Sequence, residues 1–489
     1  MYIGIDIGTQ SVKGVLIQSD GTLLYKISIH LSYDYCKASD SESELVKIHE
    51  QNPHEWKEAV DIIINKMTEK FPESKKILKE ICITGTSGTI IPVGMYGEFL
   101  YPAIMYDDER SRAEAEEINR IIKSRNISHP LKFTTYFSLP KILWIKKHED
   151  LIYQKTSIFC HVPDYIIGYL TGSFEISDYS SALKTGYLFT EKKWPEFIEK
   201  ELGISIEKLP KIQALGLLVA SLSKESMERY GFERPVAVIT GCTDSTAKTI
   251  AAGLKDVGEV MISFGSTLVV RFISREQKID IENAYSHYHP NKLWISGASS
   301  NVSLQWITEK FICQELDLKN LEQQAKEYFP TDCFVYPLEN KGERFPFIDN
   351  QFRGFEIGTF DTLAKKYAAY MEGTCYVARL CLEKLCGLNY PHTIKRLVIV
   401  GQNVGSDIWM QLCSDILGMR IEIPVYPEAA YGSALLAAAS GTYNQDINLA
   451  IEKCVKIDRS YTPNEQNRIL YSQKYQDFVS LVEKGRKKF

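Results

Sequence analysis

The chain has 489 residues, too many for one hydrophobic core, so two large domains are expected. With 44% hydrophobic and 24% charged residues it has the make-up of ordinary folded protein, and a formal net charge of −5 offers no basic field for nucleic acid or an anionic membrane. Its eleven cysteines, an odd number with no Cys-x-x-Cys, argue against a disulfide framework and a zinc site, and no basic leader or long apolar run appears, so a cytoplasmic protein is expected.

From the N-terminus, apolar and small or polar residues alternate on either side of Gly8-Thr9-Gln10 and turn again at Ser19-Asp20-Gly21, which predicts a strand meander. A helix is predicted over His54 to Phe71, after Pro53, and another over Asp108 to Ile122. The short apolar strand Ile81 to Ile83 leads into Gly85-Thr86-Ser87-Gly88-Thr89. Pro235 to Thr240 reads as a buried strand ended by Gly241-Cys242-Thr243-Asp244, with a helix to Ala252 stopped by Gly253. The domain boundary is placed here, giving domains of 1–245 and 246–489. Gly258 to Val270 then repeats the opening grammar of strand, Gly with Ser/Thr, and strand, as two duplicated halves would. Further on come a strand from Arg396 to Val400, a turn over Gly401 to Ser406, a helix from Asp407 to Leu417 closed by Gly418, and a last helix from Asn467 to Lys484. With no low-complexity linker, the halves are expected to share a broad hinge.

Asp6 ends an apolar strand just before a glycine turn. Either it holds Mg²⁺ while Gly8, Thr9 and Gln10 cradle phosphate and Lys13 neutralises it, or it bonds the backbone of its own turn. Ser263 takes its place in the second hairpin, so only the first half offers that carboxylate. Asp244 is either a helix cap or a general base that accepts a hydroxyl proton. The run Gly85 to Thr89, with Tyr106 as a flat wall and Asp108 and Arg110 as polar partners, suits a polyhydroxyl ligand; an ordinary loop is the better reading for Asp107 and Glu109. Gly342-Glu343-Arg344 reads as a surface turn with Arg344 in a salt bridge.

In order, these segments resemble the FGGY carbohydrate kinases of the actin/hexokinase/Hsp70 superfamily over nearly the whole chain. The opening Gly4 to Lys13 looks like the first phosphate loop, Gly241 to Asp244 the catalytic-base turn, and Ser263-Phe264-Gly265-Ser266-Thr267 the second phosphate loop. Gly342 to Pro346, Gly401 to Trp409 and Glu428 to Ala434 match later blocks. The resemblance implies an α/β fold of two actin-like ATPase (ribonuclease H-like) domains with the active-site cleft between them. It also implies ATP and Mg²⁺ as cofactors, Asp244 as base, and Asp6 at the metal and sugar. Ser87, Gly88, Tyr106, Asp108 and Arg110 would line the sugar. Gly265, Ser266, Thr267, Gly401, Gln402, Ser406 and Trp409 would line the nucleotide.

Within the family, xylulokinases carry Ser-Gly-Gln-Met-His-Gly on the sugar loop, whereas this chain has Ser87-Gly88-Thr89-Ile90-Ile91. With Ser177 to Tyr187, that pattern looks like the D-ribulokinase branch. It implies phosphorylation of D-ribulose at its terminal hydroxyl, with D-xylulose, another polyol or ketose, or a sugar-sensing pseudokinase as the alternatives. Gln402 and Asn403, and Ser303 and Leu304, stand where relatives have glycines, and side chains there narrow the space for ribose and adenine. The expected partners are sugar and ATP, not nucleic acid or membrane, in a monomer or homodimer. Among rivals, an actin-like filament or chaperone ATPase would not need the sugar residues, and a dehydrogenase lacks its Gly-x-Gly-x-x-Gly after an early strand.

Overall fold

The computed structural model describes residues 1–32, 35–41, 44–129, 131–277, 285–312, 317–387 and 390–486, with backbone only over 35–41 and 44–45. The opening alternation forms Tyr2–Ile7 (β1), Ser11–Ile17 (β2) and Leu23–His30 (β3). Later strands of the same sheet are Glu80–Gly85 (β4), Leu218–Ser221 (β5) and Ala237–Thr243 (β6). Their order is β5-β6-β4-β1-β2-β3. β1 is central and wholly buried, which its continuous apolar run requires. It pairs antiparallel with β2, setting Asp6 opposite Lys13, and parallel with β4, setting Asp6 beside Thr84.

The helix Pro53–Lys70 covers this sheet. The Asn52 side chain accepts from the His54 N–H, Pro53 stands where no donor is needed, and Trp56, Val60, Ile63, Ile64 and Met67 form its buried stripe. The expected helix from Asp108 begins instead at Arg112. Asp108 is held in the preceding turn by Arg110, whose backbone N–H donates to its Oδ1 at 3.0 Å.

A second sheet contains Glu259–Phe264 (β7), Leu268–Ser274 (β8), Tyr285–Tyr288 (β9), Trp294–Ser300 (β10), Arg396–Gly401 (β11), Ile421–Pro424 (β12) and Ile457–Tyr461 (β13). Its order is β9-β10-β8-β7-β11-β12-β13. β7 pairs antiparallel with β8 and parallel with β11, the ladder that β1 makes with β2 and β4. Ser263, one residue from the end of β7, thus occupies the place of Asp6 in β1. The long helix Leu363–Cys386 buries Tyr367, Met371, Tyr376 and Leu382 in the core over this sheet. The helix Asp407–Leu417 ends at Gly418, which adopts φ +65°.

The chain divides into one unit of Met1–Ala251 with Glu428–Val455, and a second of Ala252–Pro427 with Lys456–Phe489. This differs from a division into 1–245 and 246–489 in two ways. The helix Asp244–Ala251 stays with the strand that leads into it. The helix Ala429–Gly441 returns to the first unit, where it packs on β1 with nearly all its residues buried. Gly4 makes that approach possible, since a Cβ there would lie 2.1 Å from the Ala430 carbonyl oxygen. Among the described residues no helix is long and apolar enough to cross a membrane.

Candidate active site

In the first unit, Asp6 stands at the end of β1 with 8% of its surface exposed, and its Oδ1 is buried without a hydrogen-bond partner. Burial, and then the neighbouring Asp244, push its carboxyl up to about 7, against the pull of Lys248 and Lys13. A cation beside Asp6 reverses that penalty, and Mg²⁺ needs only one or two protein carboxylates because it keeps its waters. The orphaned oxygen therefore fits a metal. Among the described residues no group of three or more His, Cys, Asp and Glu could hold one by itself.

The loop after β1 is tied down on both sides. The Gly8 N–H donates to Ser11 O at 3.0 Å, the Gln10 carbonyl accepts from Leu31 N at 3.0 Å, and the Thr9 carbonyl accepts from Gln51 Nε2 at 2.7 Å. Lys13 is exposed on β2. Asp244 opens its helix, half-buried, with Lys248 one turn further on at 3.1 Å. The backbone just before it is fixed from outside: the Thr243 N–H donates to Ser180 Oγ at 3.0 Å, and Asp178 accepts from Ser180 Oγ at 2.5 Å and Ser181 Oγ at 2.6 Å. Asp178 and Ser180 are buried groups that the sequence reading missed, although it quoted the run that contains them.

Tyr106 joins these parts. Its phenol hydrogen-bonds the Thr9 side chain, and burial, Asp107 and Asp244 push it above its ordinary value. In the loop over Gly85 to Thr89, Gly88 adopts φ +91°, and a Cβ there would meet the Tyr136 carbonyl oxygen at 2.3 Å, so only glycine fits. Ser87 Oγ is buried without a partner, while the Ser87 carbonyl accepts from Lys184 Nζ at 3.2 Å.

Asp108 and Arg110 stand apart from their expected role. Asp108 has no exposed surface and takes Arg110 Nε at 2.8 Å, Arg110 Nη2 at 2.7 Å and the His49 N–H at 2.6 Å. Arg110 also reaches Glu50 at 2.7 Å and lies over the Trp144 ring. With these groups bonded to one another, the pair braces the wall instead of offering donors and acceptors to a sugar. Asp107 binds Lys47 and His49; burial opposes its ionisation, but the hydrogen bonds from His49 and Lys47 bring its carboxyl down to about 2.

In the second unit, Gly265 follows β7, and its carbonyl accepts from Leu304 N at 2.9 Å and Gln305 N at 3.3 Å, which ties this loop to the helix Leu304–Ile312. Ser266 is exposed and Thr267 half-buried. The Gln402 N–H donates to Phe264 O at 2.8 Å, bringing the turn after β11 alongside. Gln402 and Asn403 thus border a pocket of about 280 Å³, lined also by Gln305, Thr308 and Glu309, and Gly401 is not part of its lining. Two of its lining residues, Thr308 and Asn403, carry buried polar atoms without partners, Oγ1 and Nδ2.

Ser303 and Leu304 do not line that pocket. Ser303 accepts from Trp306 N at 3.1 Å as a cap, and Leu304 is in the core. Trp409 is fully buried with Nε1 3.3 Å from the Tyr367 hydroxyl, so its ring packs the core and is closed to adenosine. Ser406 caps the helix that carries Trp409 and donates to Glu322 at 2.7 Å. The turn at Gly342 is no simple surface turn, because Glu343 is buried and accepts from Ser300, Asn301 N and Tyr336, each at 2.7 Å.

The model of the FGGY family of carbohydrate kinases, N-terminal domain, matches residues 1–251, and that of the C-terminal domain matches residues 260–441. A xylulose kinase of Staphylococcus epidermidis is 26% identical over 500 residues, covering 98% of this chain and 96% of that protein. A gluconokinase of Bacillus subtilis is 24% identical over 504 residues, covering 98% and 95%. The crystal structure of a xyloylose kinase from Brucella ovis shares the fold, with a TM-score of 0.84 at 21% identity over 98% of each chain. The chain belongs to the FGGY family of carbohydrate kinases. It is accordingly a sugar kinase, a phosphotransferase that acts on an alcohol group.

Proposed function

We propose that this kinase transfers the γ-phosphate of ATP to the terminal hydroxyl of a ketopentose. The observation that carries the reading is the pair Asp6 and Asp244: one buried carboxylate with an unpartnered oxygen, and a second at a helix start beside it. Asp244 takes the proton of the attacking hydroxyl, and the Asp178–Ser180 bracket holds its turn in place. Asp6 would hold Mg²⁺, which when bound offsets the charge of the phosphates. Gly8, Thr9, Gln10 and Lys13 in the first unit, and Gly265, Ser266 and Thr267 in the second, supply the phosphate loops. The pocket beside Gln402 and Asn403 takes the base.

For the sugar, a buried Ser87 hydroxyl without a partner suits a secondary hydroxyl of one hand, and the loop's lack of methionine and histidine favours D-ribulose. D-xylulose is the second reading, because the Staphylococcus epidermidis relative is named a xylulose kinase. The test is ADP release with D-ribulose, D-xylulose, D-gluconate, glycerol and pentitols. A higher kcat/KM for D-ribulose supports the first reading, and a higher value for D-xylulose replaces it with the second. Release with neither ketopentose overturns the ketopentose assignment.

A further inference from the structure

The segment between Asp178 and Gly186 is clamped at both ends by buried polar groups. At its start Asp178 caps Tyr179–Ala182 by accepting from the backbone N–H groups of Ser180 and Ser181. At its end Thr185 Oγ1 lies 2.9 Å from His161 Nε2, and the other ring nitrogen of His161 lies 2.8 Å from Asp164 and 3.1 Å from Ser177. The clamp serves two places at once. Ser180 holds the backbone beside Asp244, and Lys184 reaches the sugar loop at the Ser87 carbonyl.

Lys184 is an unusual occupant of that position. Its side chain runs over Gly88: a Cβ on Gly88 would lie 3.0 Å from Lys184 Cδ and 3.3 Å from its Nζ. Lys184 is half-buried, and its described hydrogen bond goes to one neutral carbonyl, although an ammonium carries three donors. Burial lowers its pKa to about 8, with the field of Asp244 opposing the drop. A partly buried ammonium bonded to one carbonyl keeps donors that a ligand oxygen can take up. Ser87, on the same loop, holds a buried hydroxyl that also lacks a partner.

We propose that Lys184 is a specificity-determining residue of the sugar site, donating with Ser87 to an acceptor oxygen of the acyclic polyol at the end remote from the hydroxyl phosphorylated. Two sources provide that chemistry: the carbonyl end of a ketose, or the carboxylate of an aldonate. The inference deepens the proposed function and rests on it for the location of the sugar.

The experiment compares wild type, Lys184→Met and Lys184→Gln with D-ribulose, D-xylulose and D-gluconate, measuring KM and kcat separately after a thermal melt confirms that each variant is folded. Lys184→Met should raise KM for the preferred sugar at least tenfold, with a smaller change in kcat. Glutamine keeps a donor and removes the charge. It should restore most of the affinity for a ketose and little of that for gluconate, so the two sources are told apart. A KM for the preferred sugar within twofold of wild type in Lys184→Met overturns the proposal. If wild type releases ADP with none of the three, the proposed function fails separately. Calorimetric binding of the same sugars to the same three proteins then decides Lys184: weaker binding in Lys184→Met supports the role, and equal or undetectable binding overturns it.

Discussion

Replacing Asp244 with asparagine separates catalysis from folding, because the structure assigns the side chain a small mechanical role. Its ion pair with Lys248, 3.1 Å on one helix face, joins side chains that are 30% and 44% exposed. Such an i,i+4 pair contributes about 0.3–0.5 kcal/mol, and a negative charge in a first helical turn about as much again. Removing that charge also relieves its repulsion of Asp6. The stability of Asp244→Asn should therefore fall by no more than ~1 kcal/mol. Loss of a general base costs about 10²–10⁴-fold in turnover, or about 2.7–5.5 kcal/mol of transition-state stabilisation. A coupled ADP-release assay at saturating sugar and ATP gives the loss of turnover, and urea unfolding followed by fluorescence gives the change in stability. A kcat within about threefold of wild type in a folded variant removes Asp244 from proton transfer. A stability loss above ~3 kcal/mol would instead make it a structural cap.

Gly88→Ala places a Cβ 2.3 Å from the Tyr136 carbonyl at a φ of +91°. It should cost about 1–3 kcal/mol in denaturant unfolding and raise the KM for sugar, and an unchanged KM would detach this loop from the ligand. For Lys184 the folded pKa lies below the unfolded value, so the unfolded chain binds more protons between about 8 and 10.5 and the lysine's contribution to stability rises with pH. The stability of wild type relative to Lys184→Met should increase by about 2 kcal/mol from pH 7 to pH 9.5, and a flat difference would mean that the ammonium is solvated. Trp409→Ala should cost about 3–5 kcal/mol as a core cavity while leaving the KM for ATP within about twofold, and a tenfold loss of ATP affinity in folded protein would return the indole to the nucleotide site.

Much of the fold was legible because local chemistry decides it. The opening hairpin, the helix after Asn52 and Pro53, and the helix from Asp407 to Gly418 carry their period and their stop signals in adjacent residues. The course of Glu428 to Val455 was not legible. An alanine-rich helix looks alike wherever it packs, and contacts with residues far away in sequence assign it to the first unit: Ala430 over Gly4, Gly432 against Ala247, and the Ser433 hydroxyl on the Cys82 carbonyl. The same limit explains the site residues. Asp6 and Asp244 end or follow apolar strands, where a carboxylate needs a reason to be present. Asp108, Arg110 and Trp409 have suitable chemistry, but whether their polar atoms are already engaged depends on distant partners such as His49, Glu50 and Tyr367. Lys184 was quoted as part of a run and given no role, because nothing near it in sequence reveals that its ammonium ends on the Ser87 carbonyl.

The two ladders also show why a duplicated frame yields unlike halves. β1 and β7 have the same neighbours in the same directions, and each is followed by a glycine-containing loop with hydroxyl residues. Position decides what the loop meets; the residue before it decides the chemistry. At Asp6 a carboxylate stands next to Lys13 and within the field of Asp244 and Lys248, a concentration of charge that burial makes expensive without a cation. At Ser263 the same place holds a neutral hydroxyl, and the surrounding residues are spared that cost. The carboxylate at this position is therefore confined to the first unit, while in the second the loop after the strand is tied to Leu304 and Gln305 and lies alongside the turn at Gln402.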